Sequence, residues 1–190
     1  MTQQKFNPRI VVLLLFMMAV ALLRVVLNPE WGFAFLSNFT PVGAMAIFGG
    51  AYFTSKKAYL FPLLTLWMSD ILLSRFVYGY EWKLFYGGFY WIYGAFILMV
   101  IAGKILLKNV SVKNVLIAAL VITFIHWIVS DIGVWLASSK YPKTPAGFWA
   151  CLTVAIPYER NFLSGTLLYS AIMFGSFEWM KFKYPSLRIA

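Results

Sequence analysis

Six apolar runs, separated by turn residues or by lysine and arginine, leave this chain few folds to choose from. In order they cover approximately residues 10–27, 41–53, 59–73, 85–103, 115–136 and 162–180. Backbone amides have no water to bond in a bilayer, so a crossing segment must satisfy them internally as a helix of about 20 apolar residues. Composition agrees: of 190 residues, 62% are hydrophobic and 12% charged, against roughly half and about a quarter in a soluble domain. The expectation is one all-α domain over 1–190, an integral membrane protein with six transmembrane helices, a short interrupted second span and aromatic outer loops. The first run is too long, and too weakly followed by a small-residue cleavage site, to read as a signal peptide, so it counts as a span.

The second run is short for a crossing. A helix is expected to start at Pro41, a favoured first-turn position, with Thr40 as its cap. Residues 33–39 then make up the missing depth as irregular backbone shielded by protein. Gly43, Ala46 and Gly50 recur at helical spacing and permit close helix contact, either within the chain or with a partner subunit. Span five, NVLIAALVITFIHWIVSDIGVWLASS, runs into what reads as an aromatic loop, KYPKTPAGFWACLTVAIPYER, over 140–160.

The net charge of +10 does not point to nucleic acid. The basic residues punctuate the apolar runs instead of forming one patch, as topology signals do. With the amino terminus inside, inner segments hold Lys5, Arg9, Lys56, Lys57, Lys104, Lys108, Lys113, Lys181, Lys183 and Arg188. Outer segments hold Arg75, Lys83, Lys140, Lys143 and Arg160. That asymmetry puts both termini in the cytoplasm of a bacterial inner membrane.

Under that topology Glu30, Glu81 and Glu159 fall in outer loops, and Asp70 and Asp131 in the outer halves of spans three and five. Most of the tryptophan and tyrosine is also outside, whereas a simple aromatic belt would serve both interfaces. The excess suits a pocket that stacks on a flat or bulky organic ligand. Helical spacing puts Thr123, His126, Trp127, Ser130 and Val134 on one face of span five, with Asp131 at its edge. A carboxylate in hydrocarbon costs a few kcal/mol or more, so this face looks into protein or a wet cavity. The candidate substrate-binding residues are Asn38, Asp70, Trp82, Tyr86, His126, Trp127, Ser130, Asp131, Trp149 and Cys151, with the loop around Trp31 beside them.

Each has a plainer reading. Arg24 either snorkels to the interface or pairs with an intramembrane acid. Asp70 sits in interfacial water or orients a ligand. Ser130 and Asp131 form a structural hydrogen-bonded pair or face a guest, and His126 is an interhelical donor or a ligand contact. Cys151 is a small buried apolar residue, or a thiol for a soft metal such as the cobalt of a corrinoid. The lone cysteine excludes an internal disulfide and a Cys-cluster metal site. No nucleotide loop, H-E-x-x-H or G-x-S-x-G motif is present, so no catalytic residues and no permanently bound cofactor are assigned. A membrane enzyme using His126 and Asp131 as an acid–base pair is one alternative. An ion-coupled carrier, with Asp70, His126 and Asp131 moving protons, is the other.

Two stretches carry a resemblance. NFTPVGAMAIFGGAYF (38–53) with LFPLLTLWMSDILL (60–73) is similar to the first half of a six-span bacterial membrane family. VWLASSKYPKTPAGFWACLTVAIPYERNFLSGTLLYSAIMFG (134–175) is similar to its second half. That family resembles the substrate-binding S-components of energy-coupling factor (ECF) vitamin transporters, nearest to the solitary cobalamin-type ones. Asn38, Asp70 and Cys151 fall where the family pattern has matching residues. The pattern has an amide at Asp131 and no histidine at His126, so the roles of those two come from the physical reading alone. The resemblance implies uptake of a vitamin-like small molecule, with a corrinoid as one cargo. It also implies an ECF-type ATPase module and its transmembrane subunit as partners. S-components dock that subunit through small residues four apart in the first helix, a spacing that Ala19 and Ala21 lack.

Overall fold

From Pro41 to Gly50 every residue is buried, and the helix they form is the axis of the molecule. The computed structural model describes residues 8–26, 36–54, 56–82 and 84–188. Among them the chain forms six α-helices, α1 Pro8–Val26, α2 Val42–Tyr52, α3 Lys57–Phe76, α4 Phe89–Leu106, α5 Val112–Ala137 and α6 Pro145–Lys183, followed by a 3-10 turn at Pro185–Leu187. The readings that involve Lys5, Trp31, Glu30 and Lys83 lie outside the described residues. Helix α2 packs against all five others. Its Phe48 and Tyr52 meet Phe174 and Phe177 of α6 edge-on or tilted, with centroids 4.6–5.7 Å apart.

The small residues of α2 serve contacts within the chain. Gly43 faces Thr166 and Phe162 of α6, and Gly50 lies against the α4 backbone at Val100, Gly103 and Lys104. Gly103 in turn lies on Ile47. At about 1.5 Å per residue, α2 spans only about 16 Å. Part of the remaining depth is irregular backbone over residues 36–41. Asn161 of α6 donates to the Ser37 carbonyl at 3.0 Å, and Gly165 admits the Phe39–Thr40 backbone. The expected cap is not made: the helix begins at Val42 with no side-chain cap, and the buried Thr40 hydroxyl has no partner.

A larger correction concerns residues 140–160. The aromatic stretch expected as a loop is helical from Pro145, and α6 runs 39 residues without interruption. Thr144 caps it by accepting from the Gly147 amide at 3.2 Å, and Pro145 occupies the first turn, where a missing N–H costs nothing. Pro157 sits inside the helix. It leaves the Thr153 carbonyl without its usual donor, and packing on α5 holds the helix together across it. At about 58 Å, α6 is far longer than a hydrocarbon core of about 30 Å. Its first turns run alongside the C-terminal half of α5, where Trp135 packs on Phe148 and Trp127 donates to the Leu152 carbonyl.

One end of the bundle is tied together by charge. Arg9 donates to the carbonyls of Leu187 (2.9 Å) and Tyr52 (3.2 Å), and Glu178 bonds the Tyr52 hydroxyl and Lys181. Lys104 stands over the Tyr59 ring. The outward faces are apolar: Leu116, Leu120, Phe124 and Ile128 form an exposed stripe on α5, and Leu60, Leu64 and Met68 one on α3. Among the described residues, α1, α4 and α5 are long and apolar enough to cross a membrane by themselves, and α2 is apolar but shorter. Three clear candidate spans are thus present where six were expected. The chain is an all-helical protein built for a membrane.

Candidate functional site

The buried acids divide into a closed cluster and an open one. In the closed cluster Arg24 of α1 donates through Nη1 to Asp70 Oδ1 and to Ser69 Oγ, both at 2.6 Å. Tyr93 of α4 donates to Asp70 Oδ2 at 3.0 Å. Both carboxylate oxygens are therefore bonded, and the Ser69 hydroxyl in turn donates to the Leu66 carbonyl. Of the two readings of Arg24, the structure has the ion pair. Asp70 is buried, and both of its carboxylate oxygens are committed within the protein.

The open cluster lies between the N-terminal halves of α4 and α6, the C-terminal half of α5 and the turn at Asn38. Here the helices enclose a hollow of about 390 Å³. Its polar wall consists of Asn38, His126, Ser130, Asp131, Tyr141, Cys151, Tyr158 and Glu159. Asn38 holds a left-handed backbone (φ 67°), a conformation that asparagine tolerates better than most residues. The imidazole of His126 stacks on Phe162, ring centroids 4.1 Å apart and planes 8° from parallel. Its Nδ1 lies 3.0 Å from each oxygen of Glu159. With both rings fixed by packing, Nδ1 is committed to the carboxylate and Nε2 is the nitrogen left for other partners.

Asp131 differs from every other acid here. Its side chain is buried (7% exposed), yet Oδ2 has no hydrogen-bond partner. Its neighbours are committed elsewhere. Ser130 donates to the His126 carbonyl at 2.6 Å, and the Cys151 thiol donates to the backbone carbonyl of Asp131 at 3.9 Å. Neither the Ser130–Asp131 pair nor the His126–Asp131 pair considered from sequence is formed. A buried carboxylate without a donor costs more than the bond it lacks would return, so its retention beside a hollow is the informative feature of this site.

A second hollow, of about 580 Å³, shares Ile92, Ser130 and Val134 with the first. Tyr86, Tyr90, Trp91, Leu136 and Ala137 make it more apolar. Gly133 is what lets Trp91 lie against α5 there, because a methyl group on it would collide with the indole.

Of the residues singled out from sequence, the structure brings Asn38, His126, Ser130, Asp131 and Cys151 to the first hollow and Tyr86 to the second. Asp70 belongs to the closed cluster. Trp82 and Trp149 are 64% and 66% exposed and line neither hollow. Trp127 lies outside both as well, on a groove of about 170 Å³ with Leu120 and Leu163. Sequence reasoning missed Glu159, which it placed in an outer loop, and it left Tyr141 and Tyr158 unassigned. A signal existed: Cys151, Ala155, Glu159 and Phe162 recur at steps of three and four, the spacing of one helix face.

Neither a curated protein nor a solved structure matches the chain. A family model does, over residues 4–187, and by that match the chain belongs to the family of unknown function DUF6580.

Proposed function

We propose that this protein captures a vitamin-like organic molecule at the outer face of a bacterial inner membrane, as the substrate-binding component of an uptake system. The observation that carries this reading is the buried, unpartnered Asp131 carboxylate on the wall of the 390 Å³ hollow. The two adjoining hollows lie within the size range of small-molecule pockets, and their mix of aromatic walls with a few polar groups is the usual composition of one. A corrin macrocycle would need both hollows merged, so the cargo that fits the walls as they stand is smaller.

The orientation rests on charge. Arg9, Lys56, Lys57, Lys104, Lys108, Lys113, Lys181 and Lys183 lie at or near the helix termini of the end opposite the hollows, which favours that end in the cytoplasm. Six crossings are supported by the exposed apolar stripe on α3 and by Leu168 and Ile172 on α6, both of which suit lipid contact. No nucleotide-binding motif occurs in the sequence, so uphill transport would draw on an ATPase module and its transmembrane subunit. Reporter fusions at the carboxyl terminus test the orientation: green fluorescent protein should fluoresce and alkaline phosphatase should be inactive. The reverse pattern would turn the hollows to the cytoplasm and end the uptake reading.

Capture itself is tested by purifying the protein from membranes in detergent and identifying bound small molecules by mass spectrometry. One organic compound should co-purify. Its occupancy should fall about ten- to a hundredfold in Asp131→Ala, the scale of a lost hydrogen bond to a charged group. Turnover of a lipid or metabolite by the purified protein alone would make it an enzyme instead.

A further inference from the structure

We infer that the guest of this site is an organic cation, with an ammonium group at Asp131 and an apolar body reaching towards Trp91. The inference rests on the binding role proposed above and narrows it to a chemical class. Among the residues lining the first hollow are two carboxylates, Asp131 and Glu159, with no lysine or arginine. Glu159 is paired with His126 at 3.0 Å. Asp131 is left as the uncompensated charge. Ser130 and Cys151, on the same wall, are turned to backbone carbonyls, and Lys143 of the following loop bonds the Trp135 and Ser138 carbonyls.

A guest must therefore bring what the wall lacks, a donor with positive charge. An anion would be repelled by both acids. A neutral donor would satisfy the hydrogen bond and leave the charge unbalanced in a medium of low dielectric. The aromatic surroundings agree, since Tyr141 and Tyr158 on the first hollow and Trp91 on the second offer ring faces of the kind that attract cations. The second hollow, which shares Ile92, Ser130 and Val134 with the first as wall residues, gives the apolar part of such a guest a place to lie.

The test is calorimetric titration of the purified protein in lipid nanodiscs with three compounds of one shape: phenethylammonium, 2-phenylethanol and phenylacetate. Phenethylammonium should saturate a single site about ten- to a hundredfold more tightly than 2-phenylethanol, and phenylacetate should not bind. Asp131→Asn should remove that advantage, so that phenethylammonium binds no more tightly than 2-phenylethanol. Equal affinity for the alcohol and the ammonium, tighter binding of phenylacetate, or an Asp131→Asn variant that keeps the preference overturns the cation while leaving a working pocket. If none of the three binds the unaltered protein, the pocket reading falls with it. Should Asp131→Asn fail to fold, the order of the three compounds on the unaltered protein decides alone.

Discussion

Replacing Arg24 by leucine is expected to destabilise the protein by about 3–5 kcal/mol, the cost of stranding one member of a buried ion pair. The Arg24 and Asp70 side chains are 17% and 8% exposed, and Nη1 reaches Oδ1 at 2.6 Å. Without the guanidinium, Asp70 keeps the Tyr93 hydroxyl but no positive partner among the described residues, and α1 loses its polar tether to α3. The double variant Arg24→Leu, Asp70→Leu removes both charges. It should recover most of the loss, because a well-packed apolar pair often equals a buried ionic one. Unfolding of the single and double variants in detergent, followed by circular dichroism against denaturant, measures the coupling directly. A single-variant loss below about 1 kcal/mol would mean that the pair sits in interfacial water, where such bridges contribute little.

Gly50→Ala is expected to damage the centre of the helix bundle severely. The added methyl would overlap the Val100 carbonyl of α4 and lie 2.8 Å from the Lys104 amide nitrogen. Both obstacles are backbone, so no rotamer change relieves the clash, and α2 must move away from α4. Gly103→Ala meets the same junction from the other side, its methyl 2.7 Å from the Ile47 Cα. Overpacking typically costs 1–3 kcal/mol, and with rigid backbone on the far side each variant should lose about 3 kcal/mol or more. Gly94→Ala and Gly175→Ala serve as controls, since nothing lies within 4 Å of the methyl at either position. They should be neutral, or stabilising by about 0.5–1 kcal/mol through helix propensity. Thermal unfolding of the four purified variants separates the two classes. A Gly50→Ala protein with an unchanged melting temperature but an altered oligomeric state would move the small-residue contact to a partner subunit.

The helices read most clearly in the sequence are those whose order is set locally. Spans four and five have long apolar runs, and the structure has them as α4 and α5. The start of α6 was hidden because Pro157, two lysines and a cluster of aromatics over 140–160 carry the marks of a loop. The competing signal, Thr144–Pro145 with a helical step from Cys151 to Phe162, is weaker per residue and acts only once α5 is beside it. Packing then outweighs the cost of the internal proline.

The site was half legible for the same reason. Periodicity placed His126, Ser130 and Asp131 together on α5, because that relation belongs to one helix. It could not say that His126 meets Glu159, 33 positions away, or that Arg24 reaches Asp70 across 46. Nor could it separate Trp127, one position from His126, which turns to the Leu152 carbonyl of α6 and away from the hollow. Which acid is neutralised and which is left bare is decided by contacts between separate helices, so Asp70 and Asp131 looked alike until their neighbours were in place.

The burial of α2 has a bearing on biogenesis. Eleven residues are too few to partition into lipid on their own, and five helices surround them, two of which, α5 and α6, leave the ribosome last. This segment therefore has no stable place of its own until its jacket arrives, and its burial becomes a post-synthetic act of assembly. Quality-control proteases would meet their target in that interval, and substitutions in α6 would lower cellular abundance before they altered binding.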